Sequence, residues 1–160
     1  MVELLIRYPH ERDVLDLAAH LRLGDRAELA SCNLFDPLAV IRQGVRDSKL
    51  CWAARDAGDD TMLAIFGVAP LRPHLLLEDT GVPWLLATDA MTRATRDLAT
   101  GHPPYIDQML ATYPRLLNFV HAENRRAVRW LRHIGFTLSP AAPFGPNGAL
   151  FHQFSMQRHV

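Results

Sequence analysis

Residues 113–136 read YPRLLNFVHAENRRAVRWLRHIGF, and the way this stretch breaks into elements decides the fold. The run 116–121 (LLNFVH) is short, apolar and strand-like. Asn124 is suited to cap a helix, because its side chain can accept a backbone N–H of the first turn that has no partner within the helix. From there Ala127, Val128, Trp130, Leu131 and Ile134 return at helical spacing, while Arg125, Arg126, Arg129 and Arg132 fall on the outer side. Gly135 stands where a helix can end in a left-handed residue, and Phe136 opens the next extended run, 136–139. The stretch is a strand–helix–strand unit.

Reading toward the N-terminus, 82–88 (VPWLLAT) is apolar on both faces and is expected to be a central strand. Asp89 can cap a helix running to about residue 100. Gly101-His102-Pro103-Pro104 interrupts it, and a second helical stretch from Tyr105 ends at Pro114. Runs 49–55 and 61–69 read as two strands joined by a hairpin loop at 57–60. Before them lie a strand at 2–7, helices at 11–21 and 25–32, and a third helix opened by Asp36-Pro37, a cap followed by proline at the first helical position. A Pro/Gly loop at 140–148 precedes the last strand, 149–157. No repeat and no linker divides the chain, so 1–160 is expected to be one domain: α/β (α+β), with a mixed central sheet of about seven strands flanked by helices.

Composition narrows the function. Lys and Arg total 17 and Asp and Glu total 17, and this balance argues against nucleic acid as an obligate, specific partner. Cys32 and Cys51 form no CxxC, and the eight histidines make no HExxH, so no metal site is expected. Cys51 beside Trp52 in a strand reads as a packed thiol with a raised pKa. Charges at Glu3 and Arg7 interrupt the N-terminal apolar run, which speaks against a signal peptide, and no apolar run approaches the roughly 20 residues of a membrane span. No membrane partner is expected.

Two segments resemble the GNAT (acyl-CoA N-acyltransferase-like) family. Ile6-Arg7 with Asp13 and an amphipathic helix resembles its opening, and Asn124, Ala127, Gly135 and Phe136 match its N-x-x-A then G-F pattern. More narrowly, residues 82–156 resemble an internal virion protein of T7-like podophages, through GVPWLLATDAM, the 113–136 run and the terminal ALFHQFSM. The resemblance implies a GNAT fold put to a virion use. It implies a phage virion or host bacterial cytoplasm as location, and other virion proteins or further copies of the chain as partners.

The family also implies an acetyl-CoA site, which can be checked residue by residue. The pyrophosphate pattern [RQ]-x-x-G-x-[GA] after the fourth strand works because glycines let backbone amides approach the phosphates. Here residues 88–95 read TDAMTRAT, with no glycine and with Asp89 where phosphates would sit. Asp89, Thr92, Arg93 and Asn124 are what remains of a coenzyme-binding cleft, with Arg96 nearby. Seven residues after the motif asparagine, where many members place an acidic tyrosine, stands Leu131. Proton-transfer candidates are His121 and Glu123; Glu78 and Asp79 are expected to be solvated. Tyr8 and Tyr113 are alternative proton donors from elsewhere in the chain.

Arg125, Arg129 and Arg132 share a helical face that suits a phosphate, an acidic partner surface or packaged DNA, and equally a solvated side. The reading is a non-catalytic GNAT-fold virion or assembly protein, without cofactor, acting through protein contacts. The alternative is an acetyl-CoA-dependent N-acetyltransferase with an atypical site. A third option is an acyl-CoA sensor.

Overall fold

The computed structural model of the chain describes residues 2–72, 78–101 and 103–159. The elements run β1 (Leu4–Arg7), α1 (Glu11–Ala19), α2 (Leu23–Ser31), α3 (Pro37–Asp47), β2 (Leu50–Asp56), β3 (Met62–Pro70) and β4 (Thr80–Ala87). A 3₁₀ turn (Asp89–Arg93), α4 (Thr95–Gly101), α5 (Pro103–Thr112), β5 (Arg115–His121), α6 (Arg125–His133), β6 (Thr137–Leu138), β7 (Ala142–Phe144) and β8 (Ala149–Gln157) follow. The sheet order is β1-β2-β3-β4-β5-β8-β6, with β7 also on β8, so there are eight strands where about seven are expected. The extra one is β7, three exposed residues inside the Pro/Gly loop, too short to leave a period-2 signal.

Every neighbouring pair is antiparallel except β4–β5, which is parallel and pairs only at Thr80↔Arg115 and Gly81↔Leu116. Beyond those residues the two central strands diverge. One face of the sheet packs α1 and α3 through Val14, Leu17 and Ile41 on Ala53, Ile65 and Leu86. The other packs α4, α5 and α6 through Leu98, Met109, Val128 and Leu131 on Ala64, Phe66, Val120 and Phe154. The alternation of Ala64, Ile65 and Phe66 along β3 between these two clusters is the strand period made visible.

The signals in the 113–136 stretch hold. Asn124 caps α6 by accepting from Ala127 N–H at 3.3 Å. Gly135 has φ +107°, with Phe136 N–H on Leu131 C=O and Gly135 N–H on Arg132 C=O, a complete Schellman stop. Asp36 accepts from Ala39 N–H at 3.3 Å, as the Asp-Pro start predicts. The helix expected to begin at Asp89 is different: Thr88 precedes a 3₁₀ turn and donates its hydroxyl to Met62 C=O at 2.7 Å, and the α-helix begins only at Thr95. His102, within the expected interruption, and 73–77, within the expected 70–81 loop, lie outside the described residues.

The first strand, first helix and first hairpin are tied by a buried ion cluster. Asp13, with no exposed surface, takes Arg7 at 2.6 Å and Arg55 at 2.7 Å, and also accepts from His10 N–H at 2.7 Å. Arg55 is itself buried and reaches Asp16 at 2.5 Å and Asp60 C=O at 2.7 Å. Burial alone would raise the Asp13 pKa; the hydrogen bonds from Arg7, His10 N–H and Arg55 outweigh it and bring the carboxyl down to about 2 from an ordinary 3.8.

Asp13→Ala should therefore cost about 3–5 kcal/mol, the penalty of leaving buried Arg55 short of a partner, read by urea unfolding. Because the folded pKa is depressed, the carboxylate's contribution is present above pH 3.8 and is lost as pH falls toward about 2. The variant's stability should be flatter than the parent's across that window.

Candidate functional site

Where β4 and β5 part, their facing peptide groups lose each other as partners. Thr88 N–H bonds Leu63 C=O on β3, so by the strand period residues 81, 83, 85 and 87 of β4 turn their peptide groups toward β5. Pro83 has no N–H to offer, and its C=O accepts from the Asn118 side-chain amide of β5 at 2.8 Å. The same side chain's oxygen accepts from Phe119 N–H at 2.8 Å. At the open end, Ala87 N–H donates to Asp25 at 2.9 Å and His121 N–H donates to Glu28 at 2.5 Å. One turn of α2 thus bridges the ends of both strands. Of β4's groups facing the gap beyond Gly81, those of Leu85 border open space.

The space is a cleft of about 610 Å³ between α2, β4, β5, the start of α6 and the β7–β8 hairpin. Its walls include Trp84, Phe119, Trp130, Phe144 and Phe151. Trp84 is held by its indole N–H on Ser48 Oγ at 2.8 Å, and Phe119 stacks on Phe144 with ring centres 3.9 Å apart. Asn147 anchors the hairpin to the end of α2 through Ser31 C=O at 3.0 Å and Asn33 at 2.9 Å. Trp130 Nε1–H is buried with no partner among the described residues.

The cleft's buried charge sits at the start of α2, while Asp89 and Arg126 add exposed charge to its lining. Asp25 is buried and paired with Arg22 at 2.8 Å; burial raises its pKa against the pull of that guanidinium. Glu28 is pushed up to about 7 from 4.5, by burial first and by the charge of Asp25, against the lowering effects of His121 N–H and Arg22. A carboxyl that titrates near neutrality beside an apolar-walled cleft can exchange a proton with a bound basic group.

The structure divides the expected site residues. Asn124 and Asp89 line the cleft, Asn124 with its oxygen used as a helix cap. Thr92 is exposed and donates to Asp89 C=O at 3.0 Å. Arg93 turns to Asp59 at 3.3 Å and Asp56 at 3.6 Å on the β2–β3 hairpin, so it is not poised over the cleft. His121 Nδ1 accepts Glu123 N–H at 3.2 Å; the Glu123 side chain is exposed, and the pair forms no side-chain relay.

Glu78, expected to be solvated, instead accepts from Thr80 N–H at 2.9 Å with one oxygen and buries the other, while Asp79 is exposed. Tyr113 packs in the core beneath Gly81, its pKa raised by burial and by Glu78, and Tyr8 lies exposed beyond β1; neither lines the cleft. Cys51 is buried, its thiol pushed up to about 12 by burial.

Sequence reasoning passed over Asp25, Glu28, Trp84 and Asn118. The available signal was the Asp25-x-x-Glu28 spacing, which sets two carboxylates on one side of a short helix.

No family model and no curated protein matches the chain. Solved structures do. The chain is similar to yncA from Salmonella typhimurium, determined with its cofactor acetyl-CoA: 13% identity over 99% of this chain and 96% of that one, TM-score 0.71. It is similar to a ribosomal-protein-S5-alanine acetyltransferase from Vibrio fischeri, at 14% identity over 98% and 94%, TM-score 0.66. It is also similar to a GNAT-family acetyltransferase from Bacillus anthracis, at 12% over 98% and 96%, TM-score 0.65. The chain has the GNAT fold.

The turn after β4 does not fit the pyrophosphate of coenzyme A. Met91 N–H is spent on Thr88 C=O, Ala94 N–H on Met91 C=O, and Asp89 adds a carboxylate at the entrance. A phosphate cradle needs open amides and no anion. Among the described residues no helix is long and apolar enough to cross a membrane.

Glu28 generates a stability prediction. The unfolded chain releases this proton near 4.5 and the folded chain near 7, so stability falls as pH rises between those values. Glu28→Gln keeps an oxygen for His121 N–H and removes the buried charge. It should raise stability at pH 8 by on the order of 1–2 kcal/mol, a few degrees in Tm, and change little at pH 4.5. Thermal melts at the two pH values check this.

Proposed function

We propose that the protein is an N-acyltransferase that works from the acceptor side of its cleft. The observation that carries this reading is Glu28: a half-buried carboxyl with a pKa near 7, fixed on His121 N–H where the central strands part, in a cleft of about 610 Å³. An amine reaching the cleft arrives as an ammonium ion, which the acids of α2 attract and the aromatic walls accommodate. At neutral pH Glu28 can take its proton and leave a neutral nitrogen able to attack an acyl carbon. An acyl donor, when bound, supplies the activated carbonyl. With a turn that does not fit a pyrophosphate, its grip must differ from a glycine cradle, and Asp89 stands against it. The fold shared with acetyltransferases supports the class of reaction without naming the acceptor.

A second reading is favoured by two observations: the glycine-free turn with Asp89 in it, and Leu131 buried where the family's acidic tyrosine is expected. On this reading the chain is a non-catalytic virion or assembly protein, in line with the resemblance of residues 82–156 to phage internal virion proteins. It works without cofactor, through contacts with other virion proteins or copies of itself.

Thiol release from acetyl-CoA with a panel of primary amines separates the two. Turnover with one amine that falls about 10²–10⁴-fold in Glu28→Gln, with undiminished thermal stability, supports the first reading. No release with any amine, together with recovery of the protein from purified particles by mass spectrometry, supports the second. Asp89→Gly should tighten acetyl-CoA binding in calorimetry, because it removes the anion from the entrance; unchanged binding would mean that the turn is not the obstacle.

A further inference from the structure

The neutral net charge of the chain hides a division. Residues 115–160 hold six arginines and a single acid, Glu123, whereas the preceding 114 residues hold 16 acids against 11 basic residues. Six of the ten arginines before residue 115 (Arg7, Arg12, Arg22, Arg42, Arg55 and Arg93) are ion-paired, while Arg26, Arg46 and Arg96 have no salt-bridge partner among the described residues. Arg125, Arg126, Arg129 and Arg132 of α6 are exposed, and among the described residues none has a salt-bridge partner.

Two of them run against the helix dipole, whereas Arg132, in the last turn, is placed with it. Arg125 and Arg126 are the first two residues of α6, at the positive end of its dipole, and the first turn contains no acid. Placing cations there disfavours the helix, so local helix stability does not explain them. Burial does not explain them either, since α6 packs through Val128 and Leu131 on its opposite side.

We propose that the exposed face of α6 binds the phosphate backbone of nucleic acid. Arg125, Arg129 and Arg132 follow one line over about 10 Å of helix axis, at steps of about 6 and 4.5 Å. Guanidinium groups suit phosphate oxygens through paired hydrogen bonds. An acidic protein is the poorer fit, because protein interfaces centre on apolar or aromatic anchors and none of the exposed large hydrophobic residues lies on α6. Contacts of this kind read charge and spacing and carry no base sequence. The proposal does not rest on the acyltransferase reading.

Fluorescence anisotropy of the full chain with a 20-base-pair duplex tests it, beside a single-stranded oligonucleotide and polyglutamate as the acidic-peptide probe. Duplex binding at 50 mM salt should weaken about 40-fold at 200 mM, as expected when three phosphates are neutralised. The variant Arg125→Gln/Arg129→Gln/Arg132→Gln should bind at least tenfold more weakly with a flatter salt response and an unchanged melt. The control Arg12→Gln/Arg42→Gln, which removes ion-paired arginines, should bind like the parent. No binding at 50 mM, equal binding by the α6 variant, or tighter binding of polyglutamate than of either oligonucleotide would overturn the proposal.

Discussion

The divergence of β4 and β5 after Gly81 and Leu116 is the constraint on which the rest of the molecule depends. Two central strands that stop pairing leave peptide groups inside the protein, and buried peptide groups must find partners. Asn118 bridges the gap near the point of parting, and Asp25 and Glu28 meet the strand ends at its mouth. The cleft is what these side chains do not fill. Its chemistry follows from the same arrangement: the carboxylates that satisfy the strands are the groups whose pKa burial raises, Glu28 to about 7.

This places stability and reactivity in opposition at one residue. Glu28 would be more comfortable uncharged, and the fold carries that penalty above neutral pH. A penalty of this kind is commonly found where a group is kept for its chemistry. The Asp13 cluster works the other way. Its carboxylate is held charged by two arginines and an amide, and its effect is to lock β1, α1 and β2 together on the side of the sheet away from the cleft. One buried acid is a fastening and the other is a candidate proton acceptor, and the number of cations around each makes the difference.

Much of the fold was legible in the sequence wherever the signal was local. The strand–helix–strand unit at 113–136, the Asn124 cap, the Gly135 stop and the centrality of the VPWLLAT strand depend on periodicity and on which residues tolerate which backbone conformation. The misreadings also have a local cause. Asp89 has the chemistry of a cap, but Thr88 is drawn to Met62 C=O and the chain tightens into a 3₁₀ turn first. Glu78 looks like a solvated loop acid, but its neighbour Thr80 opens β4 and draws the carboxylate inward. The absence of glycine after β4 was readable from the local sequence alone, and the structure adds that the Met91 and Ala94 amides are already used within the turn.

What the sequence determined by itself was therefore most of the elements, their order and the absence of glycine from the turn after β4, because each is written in residues close together along the chain. The site was decided by tertiary structure. Glu28 meets His121 N–H across 93 residues and Asp25 meets Ala87 N–H across 62, and no periodicity marks either pairing. Those contacts exist only because two strands diverge and one helix lies over the opening. The raised pKa that gives Glu28 its proposed role is a property of that enclosure, not of glutamate.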